Sequence, residues 1–239
     1  MGGFGALLSI TGPTEVTMSR RARAIGLTIL GVCFAFQGAV AGEMFSSVMV
    51  GSKGGLSFRT SAGVSNFAAG FPLGIQVGLT YSSINPGDPF PARRVFIADA
   101  DNGTPESAGH TWDLRMDFLY DLKVHGPKAI YIYAGPRLSF FDGTFHYVGA
   151  NEEFDVTSTQ WGLGLGLQGL FALSQRVDLT LSGGFDGYFD GPLHGHDTTY
   201  NPDDINVNPK ENFTYKDAKN VIYTPRFQPT VMMGLSYSF

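Results

Sequence analysis

Val221-Ile222-Tyr223-Thr224-Pro225-Arg226-Phe227-Gln228-Pro229-Thr230-Val231-Met232-Met233-Gly234-Leu235-Ser236-Tyr237-Ser238-Phe239 is the stretch that decides the fold. Its odd positions are Val221, Tyr223, Phe227, Val231, Met233, Leu235, Tyr237 and Phe239, broken only by Pro225 and Pro229. From Thr224 its even positions are polar or small, with Met232 the exception. A period of two describes a β-strand with one apolar face and one polar face. Nothing in helical geometry produces that pattern over such a length.

The rest of the composition agrees. Of the 239 residues, 32 are Gly, 20 Phe and 10 Tyr, and only 15% are charged, well below the quarter typical of soluble domains. No run of about twenty apolar residues follows the amino-terminal region, which argues against membrane helices. Abundant Gly and aromatics with alternation are what a transmembrane β-barrel requires. Residues 1–41 read as an export signal. Arg20, Arg21 and Arg23 form a basic region after Met18, the expected true start, followed by the apolar Ala24–Phe36 and the small-x-small site Ala39-Val40-Ala41. The expected mature chain is 42–239. Its net charge would be −7 (13 Lys and Arg against 20 Asp and Glu) in place of −5 for the whole. Cys33, the only cysteine, falls in the signal, so disulfide chemistry is not expected. The acidic balance argues against nucleic acid as a partner.

Taken in order, Phe45–Val50 and Leu56–Val64 read as a strand pair around the turn Ser52-Lys53-Gly54-Gly55, with a further turn over Asn66–Gly70. Phe71, Leu73, Ile75, Val77, Leu79 and Tyr81 form the apolar face of the next strand. Trp112, Leu114, Met116, Phe118, Tyr120, Leu122 and Val124 form that of the fourth, opposite Asp113, Arg115, Asp117, Asp121 and Lys123. Ile130, Ile132, Ala134, Leu138 and Phe140 face away from Tyr131, Tyr133, Arg137 and Ser139. Trp161, Leu163, Leu165, Leu167 and Phe171 oppose Gly162, Gly164, Gly166 and Gln168. Val177, Leu179, Leu181, Phe185 and Phe189 alternate with Asp178, Thr180, Ser182, Asp186 and Tyr188. Connections at 125–128 and 174–176 are short, whereas 85–109, 142–157 and 191–220 read as long polar loops. Aromatics ten residues apart (Phe71 and Tyr81; Trp161 and Phe171) span about 23 Å at ordinary strand rise and tilt, close to the apolar thickness of a bilayer.

By this alternation, this loop asymmetry and the ending Gly234-Leu235-Ser236-Tyr237-Ser238-Phe239, the chain resembles the bacterial outer-membrane β-barrel family, as in the OmpA transmembrane domain and OmpX. The resemblance implies an all-β, antiparallel up-and-down barrel, most simply of eight strands, in the outer membrane of a Gram-negative cell envelope. It also implies that Phe239 belongs to the signal read by the barrel-insertion machinery. Outer-membrane lipid is then an obligatory partner, and the barrel is expected to be a monomer.

Two sets of residues are candidates for function. The first is the lumen: Asp113, Arg115, Asp117, Asp121, Lys123, Arg137, Asp178, Asp186 and Arg226 fall on the inner face, and near-balanced charge in a narrow barrel favours a salt-bridged plug over an open channel. Gly162, Gly164 and Gly166 would make room for Tyr131, Tyr133 and Arg137. The second is the last long loop. His194, His196 and Asp197 combine imidazole and carboxylate as a transition-metal site would, and Asp203, Asp204, Asn206 and Asn208 offer oxygen ligands without calcium-loop spacing. A solvated loop explains the same residues more simply, so no metal or cofactor is expected. Rim proteases and deacylases of this class use His with Asp or Ser, and His110, His146, Asp99, Asp101 and Glu152 also lie in outer segments. No catalytic motif joins them, and an enzyme is not expected. Tyr147, Phe154, Tyr200, Phe213 and Tyr215 either form an adhesive surface or pack the loops on themselves. The expected role is structural or surface-binding, through the outer loops and an extracellular ligand. A small passive pore and a rim enzyme acting on lipid or peptide are the alternatives.

Overall fold

The computed structural model describes residues 42–65, 73–100 and 102–239. The export-signal reading of 1–41, the turn at 66–70 and the girdle position Phe71 lie outside the described residues. Strands β1 (Glu43–Lys53), β2 (Leu56–Ser65), β3 (Leu73–Ile84), β4 (Thr104–Asp121), β5 (Ala129–Val148), β6 (Glu152–Ala172), β7 (Val177–Tyr188) and β10 (Phe227–Ser238) pair antiparallel, each with the next of these eight. β5 also pairs with β6 and β10 with β1, so the eight close into an up-and-down barrel. Closure leaves no unpaired edge within the barrel wall, as a strand sheet in lipid requires. The closing seam is long and regular, from Phe45 opposite Ser238 to Lys53 opposite Thr230.

The faces separate as the alternation predicts. Trp161 is 62% exposed, Leu163 61%, Phe185 53% and Val231 70%, a belt that only hydrocarbon would accept as solvent. Facing inward, Met232 is buried opposite Gly51 of β1, where no side chain competes for its space, which explains the one apolar residue on the polar face of β10. Aromatics cluster where the belt ends: Tyr81 lies edge-on to Trp112 at 5.0 Å, Phe185 stacks on Phe227 at 5.2 Å, and Tyr237 meets Phe239 at 5.2 Å.

The long loops are corrected. Segment 85–109 holds helix α1 (Pro89–Phe96) and the first residues of β4. Segment 142–157 is the continuation of β5 and β6, joined by the short turn at 149–151. Segment 191–220 holds β8 (Leu193–Gly195), β9 (Thr198–Tyr200) and most of α2 (Tyr215–Val221). β8 pairs with β6, and β9 pairs with β8. The physical reason is an inversion of polarity. Within the belt the inward positions of β5 are polar or amphipathic (Tyr131, Arg137, Ser139) and the outward ones apolar. Above it the same inward row becomes Phe141, Phe145 and Tyr147, all buried, and the outward row becomes Asp142, Thr144 and His146. The strand does not end there; its environment changes from lipid to water.

Candidate functional site

Inside the barrel the structure assembles a charge cluster from four strands, β1, β4, β5 and β7. Lys53 Nζ lies 2.8 Å from Asp113 Oδ2 and 3.2 Å from Asp186 Oδ2. Arg137 Nε is 2.8 Å from Asp186 Oδ1, and its terminal nitrogen is 2.8 Å from Asp117 Oδ1. Arg115 holds the other oxygen of Asp117 at 2.7 Å and lies over the Tyr133 ring at 4.9 Å. The Tyr188 hydroxyl accepts from Lys53 at 2.6 Å and donates to Asp113 Oδ1 at 3.0 Å. All eight side chains are buried. Charges this far from water persist only when paired and hydrogen-bonded. They hold one another across the lumen.

The glycines make that cluster possible. A Cβ on Gly164 would stand 2.2 Å from both Arg137 Nη2 and Asp186 Oδ1, and one on Gly166 or Gly184 would stand 2.4 Å from the Tyr133 hydroxyl. Gly162 makes room for Tyr188 and not for Tyr131. Toward the turn end of the barrel, Phe45, Leu119, Ala129, Tyr131, Tyr133 and Leu170 pack as an apolar layer below the charges.

Of the residues assigned inward from sequence, Asp113, Arg115, Asp117, Arg137 and Asp186 come together here. Asp178 is also buried but sits apart, held by Lys128 at 2.8 Å from the turn. Asp121 and Lys123 pair with each other at 2.6 Å at the turn end, where the Lys123 side chain is 66% exposed. Arg226 precedes β10, is exposed, and donates to the Lys219 carbonyl at 3.4 Å. Both cations leave the lumen set because parity counts only while the chain stays extended in the wall. Lys53, Arg59 and Lys128 play inner roles that sequence reading did not assign to them, and Tyr188, read on the same face as Asp186, joins the cluster. The alternation of Leu56 and Phe58 with Ser57, Arg59 and Ser61 carries the signal for Arg59. Lys53 had been read as part of a turn.

Above the barrel the outer segments build a cap with its own core: Val95 and Phe96 of α1, Phe145, Phe154 and Val156 of the β5–β6 extension, Leu193, Tyr200, and Tyr215 and Ala218 of α2. The Tyr200 hydroxyl donates to the Val95 carbonyl at 2.8 Å and that of Tyr215 to the Gly191 carbonyl at 2.9 Å. Tyr147 donates to the Pro89 carbonyl, and burial pushes its phenol up to about 12; burial does the same to Tyr215, also to about 12. Arg93 is buried under the cap, over the Tyr147 ring at 4.7 Å and ion-paired with Glu152. The loop aromatics therefore pack inward. They do not form an adhesive patch.

The candidate ligands of the last loop do not converge. His194 Nδ1 bonds Thr199 Oγ1 at 3.0 Å, and His196 Nδ1 lies 3.3 Å from Asp197 Oδ2. Asp203, Asp204 and Asn206 accept from backbone amides of Ile205, Tyr215 and Asn201, so they shape the loop. His110 stacks on Tyr81, His146 faces Glu106 at 3.9 Å, and Asp99 pairs with Arg94 at 2.6 Å; Asp101 lies outside the described residues. Among the described residues no group of three or more His, Cys, Asp or Glu is placed to hold a metal ion.

Two cavities lie at opposite ends. One of about 500 Å³ sits at the outer rim beside α2, lined by Asn85, Lys219, Asn220, Tyr223, Arg226 and Gln228 among others. The other, about 250 Å³, opens among Glu43, Ser65, Asp121, Lys128 and Tyr131 at the turn end. The charge cluster and the apolar layer stand between them.

No family model and no curated protein matches the sequence. Among solved structures, a major outer membrane protein from Thermus thermophilus superposes with a TM-score of 0.67 at 21% identity, covering 83% of this chain and all of that one. The attachment invasion locus protein Ail of Yersinia pestis aligns at 0.45 and 11% identity over 83% of this chain and 99% of its own. The outer membrane protease OmpT of Escherichia coli aligns at 0.41 and 7% over 85% and 99%. The first of these likenesses establishes the fold: this chain has the architecture of the bacterial outer-membrane barrels.

Proposed function

We propose that the protein is a closed, non-conducting outer-membrane barrel that presents a folded cap as a binding surface for an extracellular ligand. The observation that carries this reading is the filled lumen. Lys53, Arg115 and Arg137 are locked to Asp113, Asp117 and Asp186 in its middle, with an apolar layer beneath and a packed cap above. Eight strands enclose an interior that side chains alone can fill. The cap supports the binding half of the reading: a preorganised surface binds at less entropic cost than mobile loops do. The rim cavity, with Arg226, Asn85 and Tyr223 in its lining, is its natural recess. The scatter of His194, His196 and His110 favours a binding protein over an enzyme. A monomer inserted by the barrel-insertion machinery is the corresponding expectation.

Single-channel recording of the refolded mature chain in a planar bilayer is the test. Silence from verified insertion is expected; steady, reproducible current steps would refute the closed lumen and make the protein a pore.

A further inference from the structure

The lumen holds one cation too many. Lys53, Arg115 and Arg137 are matched by Asp113, Asp117 and Asp186, every contact between 2.7 and 3.2 Å. Arg59 shares the same inner surface, opposite Met49 on β1 and Thr80 on β3, and is 1% exposed. Its Nε donates to Thr80 Oγ1 at 3.1 Å, but Nη2 is buried with no acceptor. No carboxylate among the described residues pairs with it. The charged groups that act on it are Arg115, a like charge, and Asp117 and Asp186, both already engaged by other cations.

A guanidinium cannot escape this situation by losing its proton at physiological pH. A buried, uncompensated charge is among the most destabilising features a fold can carry. Water at Nη2 would supply an acceptor but not the missing negative charge. We infer that the closed lumen binds one small monovalent inorganic anion, of halide size, at Arg59 Nη2. A monatomic anion suits the site because it accepts from a guanidinium without requiring a fixed set of further directed donors, and the one side chain bonded to Arg59, Thr80, is neutral. The anion brings the central cluster to neutrality. It also keeps Arg59 from competing with Arg115 and Arg137 for Asp117 and Asp186, so it holds the plug in one arrangement.

The inference is independent of what the cap binds, and its test does not involve conductance. Equilibrium unfolding of the refolded protein is measured in chloride and in gluconate at equal ionic strength and pH. The wild type and Arg226→Gln, an exposed cation outside the lumen, should both be stabilised by chloride and by bromide. At ten times the dissociation constant the ratio of folded to unfolded protein rises about 11-fold. Arg59→Gln should lose this dependence. Crystals grown in bromide should show one anomalous peak beside Arg59 Nη2, a readout that stands even if Arg59→Gln fails to fold. Equal stability in chloride and gluconate, a chloride effect unchanged in Arg59→Gln, or water in place of bromide at Nη2 would each overturn the site.

Discussion

Asp186→Asn isolates charge from shape at the centre of the lumen. The carboxylate receives Arg137 on one oxygen at 2.8 Å and Lys53 on the other at 3.2 Å, with its side chain 4% exposed. Asparagine has the same size and keeps one acceptor, but it directs an NH₂ group at a cation and leaves three cations facing two carboxylates. Removing one partner of a buried pair costs about 3–5 kcal/mol, because the remaining charge stays buried. Adding Lys53→Met removes the surplus cation, while Asp113 keeps the Tyr188 hydroxyl at 3.0 Å and that of Thr111 at 3.2 Å. The double variant should therefore be more stable than the sum of its parts by about 0.5–3 kcal/mol, the range found for directly coupled residues. Urea unfolding of barrels refolded in lipid vesicles reads this through Trp112 and Trp161, the only tryptophans in the chain, both in the wall. If Asp186→Asn unfolds within about 0.5 kcal/mol of wild type, the range of an ordinary surface change, or if the two substitutions simply add, the cluster is not what closes the barrel.

Gly164→Ala should cost about 1–3 kcal/mol, as overpacking does, because the new methyl would lie on the Arg137–Asp186 contact; most of that cost should vanish when Arg137 is already Ala, and persistence in that background would refute the steric account. Thr214→Ala removes the capping box in which Thr214 and Asp217 satisfy each other's backbone amides, so α2 should lose about 1 kcal/mol locally and exchange its amides faster over 215–221. The barrel's own unfolding midpoint should not move. The bonds from the Thr214 hydroxyl and amide hold the Asp217 carboxyl below its ordinary range. Its contribution to α2 is therefore complete above the unfolded-state carboxylate pKa and is lost as pH falls through the lowered value; amide exchange over 215–221, corrected for intrinsic rates, should rise in that acidic window and nowhere above it. Tyr147 and Tyr215, both raised to about 12, act in the opposite direction: the cap keeps their full contribution below the ordinary phenol pKa and loses it as pH rises toward 12. Difference absorbance against Tyr147→Phe and Tyr215→Phe, with limited proteolysis of 201–214, should show late ionisation and cap cleavage together, and ionisation of either phenol at its ordinary pH would refute its burial.

The first strand pair illustrates how much of the fold was legible. Phe45–Val50 and Leu56–Val64 were read from weak alternation, and the structure pairs them in register from Glu43 opposite Ser65 to Ser52 opposite Leu56. The cap was not legible as structure. Phe141, Phe145, Phe154 and Tyr200 carry regular alternation, but against the opposite solvent, so a scan expecting apolar residues outside saw a loop. The inner charge set was legible in Asp113, Arg115, Asp117, Arg137 and Asp186, whose strands run straight through the belt. It failed at Lys123 and Arg226, where the chain leaves the wall, and at Lys53, which the turn reading removed from the count.

The sequence alone determined the class of architecture, because a period of two with one lipid-compatible face has a single solution in a bilayer: strands closed on themselves so that every backbone group is paired. It also determined which residues look inward, since parity is a local property of an extended chain. Which inward residues meet was decided only by the tertiary structure. Partners such as Lys53 and Asp113, or Arg137 and Asp186, come from distant strands, and register, curvature and the glycine gaps at 164, 166 and 184 set their distances. The surplus charge on Arg59 emerged the same way, for a count of charges becomes a physical imbalance only once each carboxylate has been given its partner.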